Sequence, residues 1–185
     1  MPELQLLRPD HASAVMAFEL TNRAFFATAV SDRGDAYFEH FTERLNELVA
    51  AQEAGMGAFY LLVDDDSSVL GRFNLEFGPA GIAELGYRVA QQVCGQGVAT
   101  ATVRHLCHLA ATRHAVRTLR AATAHSNAAS QKVLTKAGFV PIGPAEPTDV
   151  GGKPGTWYQR DMTSSRDLTN DRLSARTCRA GGAFR

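Results

Sequence analysis

Residues 87–100 have the sequence Tyr87-Arg88-Val89-Ala90-Gln91-Gln92-Val93-Cys94-Gly95-Gln96-Gly97-Val98-Ala99-Thr100, which predicts a strand, a glycine turn and a helix start. Gly95 and Gly97 let the backbone turn tightly with its N–H groups directed at a ligand. A helix that begins near Gly97 adds unpaired N–H donors and the positive end of its dipole. The glycines alone fit an ordinary strand-to-helix turn equally well. The segment therefore predicts an α/β fold with a candidate phosphate-binding turn.

Charge is unevenly distributed along the chain. The 185 residues hold 19 basic and 19 acidic side chains, a balance that indicates no affinity for nucleic acid or anionic membranes. Residues 1–84 carry 14 carboxylates and 5 arginines, whereas residues 85–145 carry 7 Arg or Lys and no Asp or Glu. This segregation suits a protein that holds a polyanion on its basic part and receives a cation on its acidic part. Runs of charge also commonly form solvated helix faces.

The length and composition fit one globular domain, because the 185 residues are 45% hydrophobic and 21% charged. No apolar run approaches the roughly 20 residues that a membrane span needs, and residues 1–3 begin no signal peptide. We therefore expect a soluble, cytoplasmic domain over residues 1–162, followed by a basic, flexible tail over residues 163–185. The three cysteines are far apart and are interpreted as free thiols, with no metal site.

The spacing of apolar residues predicts an alternating order of strands and helices. Three of the strands precede the glycine turn and form an antiparallel meander. The predicted strands are residues 4–7, 58–63, 69–77, 82–89, 118–123, 139–142 and 157–160, and the predicted helices are residues 9–23, 35–52, 97–114 and 127–137.

Three blocks of this order resemble a known superfamily. Residues 92–99 resemble the Gln/Arg-x-x-Gly-x-Gly/Ala signature with which GNAT N-acetyltransferases bind the pyrophosphate of acetyl-coenzyme A. Residues 127–139 are similar to the superfamily's Asn-helix-Gly-Phe segment, and residues 83–89 make the set closest to the ribosomal-protein-alanine N-acetyltransferase branch. The resemblance covers about residues 3–162. It implies a single-domain fold with a mixed, mostly antiparallel sheet of six to seven strands, splayed at the cofactor site and flanked by about four helices.

The resemblance also implies which residues hold acetyl-CoA without a metal ion. Backbone donors from Cys94 through Ala99, with the Thr100 hydroxyl, would bind the pyrophosphate. The strand at residues 85–89 would pair with the pantetheine arm and supply an N–H donor to the developing oxyanion. Asn127 would contact the same arm, or cap the helix that follows, or do both. The predicted cofactor-binding residues are Tyr87, Arg88, Val89, Gln92, Cys94, Gly95, Gln96, Gly97, Val98, Ala99, Thr100 and Asn127.

Acetyl transfer to an amine requires a base, because an ammonium group must lose a proton before or during attack. The resemblance places Glu84 in this role, acting through a water. Strand alternation puts Glu84 on one face with Gly86 and Arg88. The alternative is a strand-end carboxylate paired with Arg72 or Arg88, and Glu76 is a second candidate base.

The chain departs from the superfamily at the general acid. Many GNAT enzymes carry a tyrosine seven residues after the helix-starting Asn, where it protonates the departing thiolate, but this chain has Leu134. The closest branch shares this substitution and often has a serine at the position of Ser130, which is therefore the second predicted catalytic residue. Its alternative role is that of a helix-surface or core-edge serine. Because a thiol with a pKa of about 8.5 leaves tolerably as a thiolate, the reaction is slowed rather than prevented.

The predicted function is an acetyl-CoA-dependent N-acetyltransferase in which a primary amine attacks the thioester directly in a ternary complex. The acidic first half of the chain favours a cationic acceptor, such as a protein N terminus, a polyamine or an aminoglycoside. The alternative is a catalytically weak acyl-CoA-binding sensor or partner module, suggested by Leu134. No nucleic-acid or membrane partner is expected, and the sequence is compatible with a homodimer.

Overall fold

The computed structural model describes residues 2–162, and these form seven strands and six α-helices. The predicted tail, residues 163–185, lies outside the described residues. The strands are β1 (Glu3–Leu6), β2 (Gly57–Val63), β3 (Val69–Phe77), β4 (Ile82–Val89), β5 (Thr118–Ala124), β6 (Val140–Ala145) and β7 (Gly155–Asp161). The helices are α1 (Ala12–Thr21), α2 (Arg23–Ala29), α3 (Asp35–Glu39), α4 (Phe41–Glu53), α5 (Val98–Arg113) and α6 (Ala128–Lys136).

The described residues contain six helices where about four were expected. The helix predicted over residues 35–52 is divided into α3 and α4, and α2 follows α1 beyond the predicted end near Arg23. The break between α1 and α2 lies at Asn22, whose side-chain amide donates to the Phe18 carbonyl at 2.9 Å. The Asn22 Oδ1 atom accepts a hydrogen bond from the backbone N–H of Gln91 at 2.9 Å, and Gln91 follows the end of β4, 69 residues later in the sequence. This buried side chain therefore forms hydrogen bonds with two backbone groups, and the regular helix is interrupted at Asn22.

All seven strands of the described chain belong to one sheet, in the order β1-β2-β3-β4-β5-β7-β6. Every neighbouring pair is antiparallel except β4 and β5, which are parallel. That parallel pair has only three registered positions, Ile82 with Thr118, Ala83 with Leu119 and Glu84 with Arg120. The sheet is thus mixed and mostly antiparallel, as predicted, and it splays after Glu84.

Helices cover both faces of the sheet. The α5 face packs α5 and α6 against strand residues that include Ala83 and Leu85. The α1 face packs α1, α2 and α4 against residues that include Phe59 and Leu61. Along β4 the alternation is as predicted, since Tyr87 joins the α5 face and its odd-numbered neighbours do the same. The even-numbered residues of β4 consequently lie on the α1 face.

Candidate active site

The candidate site begins where β4 and β5 separate. Glu84 and Arg120 are the last registered pair of these strands, and residues 85–89 of β4 have no partner on β5. The other edge of β4 stays paired with β3 up to Val89, opposite Gly71. One edge of residues 85–89 therefore presents backbone N–H and C=O groups to an opening in the sheet, which is suitable for pairing with an amide-bearing ligand.

The glycine turn lies at the end of β4 next to this opening. Gly95 and Gly97 have φ values of +78° and +80°, a left-handed conformation that glycine adopts without strain. A Cβ atom added to either glycine would meet no atom within 4 Å, so the space above the turn is open. Among the described residues, the backbone N–H groups of residues 95–100 have no hydrogen-bond acceptor. The turn therefore presents a row of free donors at the start of the 16-residue helix α5.

The position of the donors differs by one residue from the prediction. The N–H of Cys94 donates to the Gln91 carbonyl at 3.1 Å, which closes a short turn before the glycines. Gln96 reinforces the turn, because its side-chain amide donates to the Gln92 carbonyl at 2.7 Å. The free donors thus start at Gly95, and the thiol of the exposed Cys94 donates to the Ala90 carbonyl at 3.5 Å.

Three predicted site residues meet on the α5 face of the opening. The Tyr87 hydroxyl lies 2.9 Å from the Ser130 Oγ atom, and its ring stacks on Phe73 at a centroid distance of 5.9 Å. Asn127 accepts the Ser130 N–H at 3.0 Å through its Oδ1 atom, so it caps α6. Burial raises the pKa of Tyr87 to about 12, and this phenol therefore stays protonated at neutral pH. Leu134, one turn further along α6, is fully buried.

The α1 face of the opening carries the candidate base. Glu84 is exposed and lies between Glu76 on β3 and Arg120 on β5 in the strand register. Arg120 donates from Nε to the Gln159 side chain at 3.0 Å. Within residues 2–162, Glu84 makes no hydrogen bond or ion pair with another side chain. Its carboxylate is therefore available to a substrate or to water.

Gly86 leaves room beside this carboxylate. A Cβ atom added there would meet no atom within 4 Å, and the glycine is exposed on the α1 face. Arg88 follows two positions later on the same face, with its guanidinium carbon 5.0 Å from the centroid of the Phe26 ring. The surface over Gly86 can therefore admit a group that reaches the open edge of β4 from the α1 face.

The alternative pairing of Glu84 with Arg72 or Arg88 is not what the structure contains. Both arginines bind Glu19 of α1, Arg72 at 2.5 Å and Arg88 at 3.2 Å. Arg72 also donates to the Tyr37 hydroxyl at 3.2 Å. The Glu19 side chain is only 1% exposed, so its charge is stabilised by these two guanidinium groups.

Glu19 was not among the predicted site residues, although the sequence holds a signal for it. The buried positions of α1 are Val15, Phe18 and Glu19, so a carboxylate occupies the apolar stripe of the helix. A buried carboxylate requires a buried cation, and the two strand arginines supply it. The partners themselves depend on how α1 packs on β3 and β4.

The described residues form an opening that can admit an extended ligand, and the two sides of this opening differ in chemistry. The α5 side has free N–H donors and a pair of hydroxyl groups, whereas the α1 side has an unpaired carboxylate beside open space. Among residues 2–162, no three His, Cys, Asp or Glu side chains are grouped closely enough to hold a metal ion. No helix in this range is long and apolar enough to cross a membrane.

Solved structures with the same fold include acetyltransferases from several bacteria. The ribosomal-protein-S5-alanine acetyltransferase from Vibrio fischeri superimposes with a TM-score of 0.79 at 20% identity, over 87% of this chain and 93% of that one. The Salmonella typhimurium acetyltransferase that modifies the N-terminal serine of L7/L12 gives 0.77 at 19% identity, over 88% and 95%. Mycobacterium smegmatis RimJ in complex with CoA-disulfide gives 0.75 at 20% identity, over 94% and 88%. At these identities the likeness establishes the fold.

The family of the chain is identified by comparing its sequence with models of known protein families. No curated protein matches the chain significantly. The model of the acetyltransferase (GNAT) domain matches residues 3–140, which is most of the chain. Together with the splayed mixed sheet and the glycine turn at the end of β4, this match shows that the chain belongs to the GNAT acetyltransferase family.

Proposed function

We propose that this protein is an acetyl-CoA-dependent N-acetyltransferase that acetylates a primary amine, either a protein N terminus or a small-molecule amine. The observation that carries the proposal is the opening between β4 and β5, with free N–H donors on one side and the unpaired carboxylate of Glu84 on the other. The amine attacks the thioester directly in a ternary complex. The names of the similar structures, which include CoA complexes and modifiers of ribosomal-protein N termini, agree with this reading.

The glycine turn fits the pyrophosphate of coenzyme A. The N–H groups of residues 95–100 supply donors without a metal ion, and the open space above Gly95 and Gly97 leaves room for phosphate oxygens. Residues 85–89 offer backbone groups that would pair with the amides of the pantetheine arm. An N–H on this edge would stabilise the negative charge that develops on the thioester oxygen. Acetyl-CoA supplies the activated acyl group, and every other contact comes from the chain.

Glu84 acts as the general base in this proposal. It sits at the last paired position of β4, beside the space over Gly86, so a water on its carboxylate can reach an amine that enters from the α1 face. Glu76 lies directly opposite on β3, one strand further from the opening. We therefore assign the base role to Glu84 and treat Glu76 as its matched control.

Ser130 donates to the departing sulfur, and Tyr87 is a positioning residue. The Tyr87 phenol is protonated at neutral pH, and burial raises its pKa further, to about 12, so it can donate a hydrogen bond to Ser130 Oγ at 2.9 Å. That hydrogen bond leaves the Ser130 O–H free to turn toward the opening. The buried Leu134 cannot act as a proton donor, and the Tyr87–Ser130 pair offers a hydroxyl in its place.

Turnover tests the proposal. The purified protein is incubated with acetyl-CoA and a panel of N-terminal peptides and polyamines, and the release of free thiol is followed. We expect at least one amine to raise thiol release well above the rate of hydrolysis. If coenzyme A binds, as measured by calorimetry, and no amine is acetylated, the protein is an acyl-CoA-binding sensor module and the enzyme proposal is wrong.

A further inference from the structure

Four arginines gather around one tyrosine on the α1 face. The guanidinium carbons of Arg33 and Arg44 lie 4.4 and 5.7 Å from the centroid of the Tyr37 ring. Arg72 donates to the hydroxyl of the same tyrosine, and Arg88 shares the carboxylate of Glu19 with Arg72. We call these four residues, Arg33, Arg44, Arg72 and Arg88, the arginine cluster.

The cluster has fewer carboxylates than cations. Glu19 is shared by two of its arginines, and Arg33 forms no ion pair with any residue in the range 2–162. The two nearby aspartates are already engaged, because Asp32 and Asp35 both bind Arg23, at 2.6 and 2.8 Å. The hydrogen bond from the Arg23 guanidinium holds the pKa of Asp32 at about 2, so this carboxylate is ionised and already paired. The cluster therefore keeps an excess of positive charge.

Arg33, Arg44 and Arg88 are the members of the cluster that reach solvent. Arg33 and Arg88 line one narrow crevice between α2, the α2–α3 loop and β4, together with Phe26, Phe38 and two carboxylates that already have arginine partners, those of Glu19 and Asp32. The Arg88 side chain is 22% exposed, and Arg33 is exposed. Burial, followed by the charge of Arg33, lowers the pKa of Arg88, and the Glu19 carboxylate offsets this only in part.

The crevice begins two residues along β4 from the proposed site of attack. Arg88 follows Gly86 by two positions on the same face, a separation of about 6.6 Å along a strand. In an extended peptide, the N-terminal amine and the side-chain carboxylate of the second residue are separated by a similar distance, about 6 to 8 Å. An amine held over Gly86 would therefore place its neighbouring side chain against Arg88 and Arg33.

We propose that the arginine cluster selects acceptors with a carboxylate next to the reactive amine, in particular peptides with an acidic second residue. This inference rests on the proposed function, because it concerns the acceptor of the same site. It differs from the cationic acceptor that the total charge of residues 1–84 predicts. Folding places arginines of that acidic segment at the opening, and the local charge governs recognition because salt screens distant charges.

Three peptides that differ only at the second residue test this selection: glutamate, glutamine or lysine. We expect kcat/KM for the glutamate peptide to exceed that for the glutamine peptide about tenfold, equivalent to about 1.4 kcal/mol. Lysine should be the poorest of the three. Arg33→Gln should reduce the ratio of glutamate to glutamine at least threefold, and Arg33→Glu should reverse the preference toward lysine. Arg113→Gln, at an exposed cation at the end of α5, should leave the ratio unchanged.

The outcomes separate this inference from the proposed function. If all three peptides are acetylated with equal kcat/KM, the charge selection is wrong while the acetyltransferase proposal stands. If coenzyme A binds and no peptide or other amine is acetylated, the proposed function itself fails. If Arg33→Gln raises the KM for acetyl-CoA and leaves the peptide ratio unchanged, the cluster serves the cofactor and the inference is overturned.

Discussion

Removing the charge of Glu19 tests whether the buried network holds α1 on the sheet. Glu19→Gln keeps the shape of the side chain and one oxygen acceptor, but it leaves Arg72 and Arg88 without their anion. Breaking a buried ion pair by removing one partner costs about 3–5 kcal/mol. Arg88 is 22% exposed and can regain water, whereas Arg72 is only 9% exposed. We therefore expect the lower end of this range, about 3 kcal/mol.

Urea denaturation measures this loss, with the fluorescence of Trp157, the single tryptophan, as the probe. In thermal denaturation of a domain of this size, a loss of 1 kcal/mol lowers the Tm by about 2–4 °C, so the expected decrease in Tm is roughly 6 to 12 °C. Glu47→Gln is the matched control, since Glu47 is exposed on α4, and its midpoint should equal that of the wild type. Adding Arg72→Met to Glu19→Gln should recover part of the loss, because it removes the more deeply buried unpaired cation.

The result that would refute this reasoning is a free energy of unfolding for Glu19→Gln within 1 kcal/mol of the wild type at an unchanged m-value. Such a result would mean that the two arginines are hydrated or find other partners. A stability loss that the second substitution does not relieve would place the cost in the packing of α1 rather than in the uncompensated charge.

Three further predictions concern the opening itself. Glu84→Gln should lower kcat about 100-fold or more with little change in the affinity for coenzyme A, whereas Glu76→Gln should retain most of the activity; equal losses would remove the base assignment. Gly97→Glu should abolish coenzyme A binding in calorimetry, while Gly55→Glu, with a φ of +72° and the same open surroundings, should show similar backbone strain and normal binding. Tyr87→Phe should lower kcat about tenfold and leave the affinity for coenzyme A unchanged. The pKa of Tyr87 in the folded protein, about 12, lies above the ordinary value of 10, so this group binds its proton more tightly in the folded state. The contribution of the protonated phenol to the free energy of unfolding is therefore complete below pH 10 and falls by up to about 3 kcal/mol as the pH rises to about 12. The free energy of unfolding of Tyr87→Phe, measured by urea denaturation, should fall less over this range.

The part of the fold predicted from the sequence is the part that local chemistry determines. Gly95 and Gly97 require φ values that other residues avoid, and the turn they predict is present. Alternation along residues 82–89 predicted the face of each side chain on β4, and the structure agrees. The helix that follows Asn22 was not predicted, and the position of Asn22 depends on a hydrogen bond with Gln91, 69 residues away.

In the candidate site, too, contacts between residues close in sequence were predicted and contacts between distant residues were not. The helix cap, which was the alternative role of Asn127, spans only three residues and is present, whereas its contact with the cofactor arm stays a prediction. The contact between Tyr87 and Ser130 joins a strand to a helix 43 residues later and depends on how α6 packs. The partner of Arg72 likewise comes from α1, 53 residues earlier, so the sequence does not identify that partner as Glu19 rather than Glu84, although Glu19 occupies the apolar stripe of its helix.

The short junction of β4 and β5 has a mechanical consequence. Three registered positions join a four-stranded half of the sheet to a three-stranded half, whereas β3 and β4 share seven. A small rotation of one half against the other changes few backbone hydrogen bonds, so the junction can serve as a hinge. The width of the opening is then governed by side-chain packing, including the Tyr87–Ser130 contact that bridges the two halves. Loosening this hydroxyl pair would therefore widen the opening only as far as the core that the two halves share beneath α5 permits.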